Sequence, residues 1–127
     1  MDWFVMAWSK AADFSGRSRR KEYWMFALFN TLICIVLMIP SIAFARTGIR
    51  SLFSAALFGY ELASIVPTCS CSVRRLHDTG RSGWWLLLYL IPFIGLIVLV
   101  FLVLDSEPGR NEYGPNPKSP QQSAWIV

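Results

Sequence analysis

Hydrophobic and polar residues alternate in long blocks along this chain. Residues Tyr23 to Ala45 and Trp84 to Leu104 carry no charged side chain. At about 1.5 Å per residue, a helix of either length crosses a hydrocarbon core of roughly 30 Å. Each is expected to span a membrane. Ser51 to Val73 is long enough as well, though it holds Glu61, Pro67 and several serines. It is read as a third span between the other two, kinked near Pro67. The pattern predicts an all-α integral membrane protein with three transmembrane helices, at 23–45, 51–73 and 84–104.

The polar blocks have their own organisation. On a helical wheel Trp3, Phe4, Ala7, Trp8, Ala11 and Phe14 share one face, with Asp2, Ser9, Lys10 and Asp13 opposite and Met6 out of place. Residues 1–14 are therefore expected as an amphipathic helix in the membrane interface. From residue 105 to 127 the chain is rich in Pro, Gly and Asn and reads as a turn-rich tail. The whole is one membrane domain.

Composition agrees: 54% of residues are hydrophobic and 16% charged, against about a quarter charged in a soluble domain. Cys34, Cys69 and Cys71 show neither a disulfide framework nor zinc spacing. No metal and no cofactor is expected. The net charge is +4, yet no segment builds the basic face of a soluble nucleic-acid module, so nucleic acid is not expected as a partner. Five lysines and arginines precede the first span, two lie at Arg46 and Arg50, three at 74–81 and two in the tail. With three spans, the positive-inside rule places the amino terminus and the 74–83 loop in the cytoplasm and the tail outside. A break at Pro92 and Gly95, turning the last segment into a re-entrant hairpin, would bring the tail back inside. Ala43-Phe44-Ala45 mimics a signal-peptidase site and Ser18-Arg19-Arg20-Lys21 resembles a twin-arginine signal. The long lead and the charges after the arginines argue against both.

Gly16-Arg17-Ser18 and Gly80-Arg81-Ser82 repeat one tripeptide ahead of a tryptophan and an apolar run. Glycine permits a sharp turn, arginine offers a planar fork of donors, and serine caps a helix. Arg17, Arg19, Arg20, Arg74, Arg75, His77, Asp78 and Arg81 form the candidate face for anionic lipid headgroups or a protein partner. Caps and snorkelling anchors are the plainer use of the same residues. Asp78 is placed to cap a turn or pair with Arg74, Arg75 or Arg81. Glu22 is placed to pair within its helix or to reach Arg74 or Arg75. His77 beside Asp78 lacks the partners of a catalytic constellation, and no enzyme is expected. Glu61 is costly if ionised in a membrane and should be protonated, paired or facing water, with Asn30 and Tyr89 as polar companions. That makes a small ion or solute pathway the alternative function. Ser51, Ala55, Gly59 and Ala63 form a small-residue stripe suited to close helix packing, first of all inside the bundle. A homo-oligomer or another membrane protein stays open as a partner.

Set in order, "DFSGRSRRKEYW", "RRLHDTGRSGWW", "IPFIG" and "GRNEYGPNP" resemble the bacterial membrane family catalogued as domain of unknown function 805, the YhaH-type inner-membrane proteins. The likeness runs from about Trp3 to Pro117. It implies a small multi-spanning protein of the bacterial inner membrane and supplies no activity.

Overall fold

A computed structural model describes residues 2–118. Its elements are α1 (Asp2–Ser9), α2 (Arg20–Ala43), α3 (Ile49–Asp78), a 3-10 helix (Gly83–Leu90) and α4 (Gly95–Val103). The described residues form no strand, only an isolated bridge between Asn111 and Gly114. Part of the predicted tail, residues 119–127, lies outside the described residues.

The apolar run from Tyr23 makes α2, and the run from Ser51 makes most of α3. Both helices are long and apolar enough to cross a membrane. They pair antiparallel through a series of rungs. Phe44 stacks near Phe53, the Ser41 and Ser54 hydroxyls lie 2.7 Å apart, and the Tyr60 hydroxyl donates to Asn30 Oδ1 at 2.7 Å. Many apolar side chains of this pair stay exposed, Val36, Ile42, Leu52 and Phe58 among them. That is the surface expected of helices solvated by lipid rather than by protein.

α3 runs on through Pro67 to Asp78, so Arg74, Arg75, His77 and Asp78 sit on helical turns and not in a loop. Nothing in "SVRRLHD" breaks a helix, and cations in the last turn suit the carbonyl end of the dipole. The helix stops at Gly80, where φ is +77°. Gly80 N–H donates to His77 O and Arg81 N–H to Leu76 O, the pair of bonds that closes a helix on a left-handed glycine.

The predicted third span is not one helix. Its first half winds as the 3-10 helix, the chain reverses through Pro92 and a left-handed Phe93 (φ 66°), and α4 returns. Pro92 has no N–H to continue a helix. At Gly95 an added Cβ would fall 3.0 Å from the Tyr89 carbonyl, so the reversal is tight. The nine residues of α4 extend about 13 Å, too short to cross. The result is a hairpin with both ends beside the end of α3, and the tail returns to the side it left from.

α1 presents the face the wheel predicts, but packs it on α2 and α3 instead of lying free at headgroup level. Ala7 is buried with Phe26 and Cys71, Phe4 stacks on Phe26 with ring centres 5.7 Å apart, and Trp8 lies 6.2 Å from Tyr60. Leu76, Val98 and Leu102 form a second core under the hairpin. Ser51, Ala55, Gly59 and Ala63 are all exposed, so the small-residue stripe is not used inside the described bundle.

Candidate functional site

Where α3 ends, the amino-terminal motif, the hairpin and the tail meet around Asp78. Arg17 donates five hydrogen bonds: Nε to Asp78 Oδ1 at 3.0 Å, Nη1 to the carbonyls of Gly109 (2.8 Å) and Gly114 (3.3 Å), and Nη2 to those of Asp78 (3.1 Å) and Glu107 (2.6 Å). A guanidinium has five N–H donors, and all are engaged. Arg75 donates to the carbonyls of Leu102 and Leu104 at the end of α4, to Ser18 O and to Asp78 Oδ2. Asp78 also accepts from the Ser106 hydroxyl, and its backbone carbonyl from Glu107 N–H at 2.8 Å. The carboxylate thus ties the amino-terminal motif and the tail to α3, and Arg75 adds the end of α4.

Burial sets the electrostatic weight of this arrangement. The side chains of Arg75 and Asp78 are fully buried and that of Arg17 is 1% exposed. Two charges removed from water at such cost need both mutual pairing and hydrogen bonds to their remaining atoms. Arg17, Arg75 and Asp78 have both. Arg74 has less: Nη1 donates to Glu22 Oε1 at 3.2 Å, while its Nε and Nη2 are buried without a partner.

His77 uses Nδ1–H to reach Gly16 O at 3.1 Å, and its ring stacks on Tyr113, centres 3.9 Å apart and planes within 1°. Asn111 Nδ2 donates to His77 O at 2.8 Å. Burial pushes the Tyr113 hydroxyl above its ordinary range. At the rim, the hydrogen bond from the Lys118 ammonium and then that from Ser106 N–H hold the Asp105 carboxyl below the usual carboxylate range.

The candidate face therefore divides. Arg17, Arg74, Arg75 and Asp78 are interior and do not form an exposed binding surface. The headgroup site expected at Arg17 is closed because every donor has an acceptor in the same chain. Arg19 is half-buried and donates Nε to Pro117 O at 2.7 Å. Arg81 lies 3.8 Å over the Phe101 ring. Arg20 and Lys21 are exposed. The two Gly-Arg-Ser units differ in the same way. Ser82 caps the 3-10 helix, whereas Ser18 holds its N–H on Arg74 O and turns its hydroxyl into the interior, so α2 starts at Arg20 without a side-chain cap.

Sequence reasoning missed the tail's part in this site. Its contribution is mostly backbone carbonyl, from Glu107, Gly109 and Gly114, joined by Leu102 and Leu104 at the end of α4, which no residue type announces. The turn formers in "GRNEYGPNP" were the available signal.

A second polar group lies apart from the first. Glu61, Asn30, Cys34, Ser64 and Thr68 line a cleft of about 320 Å³ between α2 and α3. Asn30 shares the cleft with Glu61, but its carbonyl is taken by Tyr60. Tyr89 is not a companion of Glu61: it lines a neighbouring cavity with Tyr23, Thr68, Cys69 and Ser72. The break at Pro92 holds Tyr89 on the first arm of the hairpin, short of that depth.

A model of the family described as protein of unknown function (DUF805) matches residues 11–115. The inner membrane protein YhaH of Escherichia coli strain K12 is 42% identical over 121 residues, covering 93% of this chain and 98% of YhaH. The inner membrane protein YhaI of the same strain is 40% identical over 119 residues, covering 93% and 97%. No solved structure matches the chain. With the family model across both glycine-arginine motifs and relatives matched almost end to end, this chain belongs to the DUF805 family of membrane proteins.

Proposed function

We propose that the protein is a non-enzymatic component of the bacterial inner membrane whose arginine-rich end faces the cytoplasm and holds anionic lipid headgroups. The site around Asp78 is the scaffold of that end, and the exposed cations around it make the contact. The observation that carries this is the division of labour among the basic residues. Arg17 and Arg75 are engaged inside the chain, while Lys10, Arg20, Lys21 and Arg110 stay exposed at the same end. The hairpin adds support for the orientation. It returns Arg110 and Lys118 to this end, leaving Arg46 and Arg50 as the basic residues of the other, a stronger positive-inside bias than three full spans would carry. Each exposed cation near an anionic leaflet contributes about 1 kcal/mol.

The test uses the full chain in nanodiscs. Phosphatidylglycerol is expected to raise its melting temperature above that in phosphatidylcholine, and Arg20→Gln with Lys21→Gln to remove at least half of the difference. Equal melting of the unmodified protein in the two lipids would overturn the reading.

A further inference from the structure

The hairpin covers only part of the bundle. Tyr89 and Leu90, at its tip, share a cavity with Thr68 and Cys69 of α3. Thr68 lies ten residues before Asp78, about 15 Å back along the 30 residues of α3, and Glu61 is nearer the middle of that helix. Beyond that depth the hairpin's flank of α2 and α3 has no third element among the described residues. The cleft lined by Asn30, Cys34, Glu61, Ser64 and Thr68 opens on that flank, roughly 10 Å further along α3 at Glu61. Glu61 and Thr68 are exposed, and Glu61 has no ion pair among the described residues.

Towards lipid this is an expensive surface. A carboxylate at the centre of a membrane helix costs about 2.5–3.5 kcal/mol on insertion scales, and polar groups there face the bundle interior, water or one another. Its chemistry is also self-complementary. Tyr60 occupies the Asn30 carbonyl, which leaves the Asn30 amide N–H₂ as donors in the same cleft as the Glu61 oxygens. Donor and acceptor on one patch are what a two-fold interface requires, since residue i meets residue j and j meets i. The slim side chain of Cys34, partly exposed in the cleft, leaves room for a second backbone to approach, the usual condition for association in lipid.

We infer that the polar cleft at Glu61, beyond the tip of the half-length hairpin, is the interface with a second copy of this chain, each Asn30 amide donating to the partner's Glu61 carboxyl. This goes beyond the headgroup reading and does not depend on it, because the two surfaces lie at different depths.

The native cysteines provide the probe. Cys34 lines the cleft and Cys71 is buried. Copper-phenanthroline oxidation of the full chain in its membranes is expected to give a disulfide-linked dimer. Cys34 as sole cysteine should retain the crosslink and Cys71 as sole cysteine should lose it. Glu61→Leu and Asn30→Leu, tested separately so that one misfolded variant does not decide the outcome, should each reduce crosslinking at least five-fold. Native mass spectrometry from nanodiscs should show twice the chain mass for the unmodified protein. A single chain mass there, Cys34 crosslinked to a protein of another mass, or a dimer indifferent to both substitutions would overturn the inference. So would a cation flux in proteoliposomes from a preparation of single chain mass, which would make the cleft a pathway instead. The failure of any of these leaves the lipid comparison at Arg20 and Lys21 untouched.

Discussion

The two polar groups of this protein begin with similar chemistry and end differently. Around Asp78, charges are buried and nearly every donor meets an acceptor of the same chain. Around Glu61, a carboxyl lies in an open cleft with no cation beside it. The difference is one of coverage. At the Asp78 end, the amino-terminal motif, the hairpin and the tail all converge on α3, and their backbone carbonyls, with the Asp78 carboxylate, engage all five donors of Arg17 and four bonds of Arg75. At Glu61, among the described residues, α2 and α3 alone line the open cleft, because the hairpin has already turned back. A buried charge is tolerable where several segments supply hydrogen bonds to it, and intolerable in lipid where one pair of helices must do so alone. The first group reads as structural closure, the second as a surface awaiting a partner.

The largest effect that would break this contrast is expected at Asp78. Asp78→Asn leaves Arg17 and Arg75 buried beside a neutral amide and should cost about 3–5 kcal/mol, read as a loss of the thermal transition in detergent and proteolysis of the released tail. A variant as stable as the unmodified protein would show that the cluster is not the clamp described. Glu22→Gln is intermediate. It keeps an acceptor for Arg74 but removes the charge, and about 1–3 kcal/mol should be lost in the same melt. The smallest effect belongs to the cleft. Glu61→Gln, measured in detergent on a fraction of single chain mass, should leave the melting temperature unchanged, since no cationic partner within the chain is lost. Destabilisation on the scale of Asp78→Asn would mean that Glu61 is tied into its own bundle after all.

Much of the architecture was legible from local pattern. The charge-free run from Tyr23 and the weaker run through Glu61 mark α2 and α3, because a helix bonds its own backbone polar groups in lipid and about twenty apolar side chains suit its surface to the hydrocarbon. The apolar face of α1 is equally visible, while for Glu22 the sequence left open a partner within its own helix or Arg74 or Arg75, and the structure pairs it with Arg74. The third span misled for a local reason. Its composition is as apolar as that of α2, and a hairpin that dips into lipid and returns needs the same composition. Pro92 and Gly95 announce a break without stating which way the chain goes afterwards.

The sequence alone determined the class of protein, the two helices long and apolar enough to cross a membrane and the polar motifs that gather at one end, since hydropathy and turn chemistry act residue by residue. Only the tertiary structure decided that Arg17 and Arg75 face inward, that the tail closes over them, and that Glu61 is left uncovered. These outcomes rest on backbone carbonyls arriving from segments nearly a hundred residues apart, and a carbonyl is the one group every residue has in common.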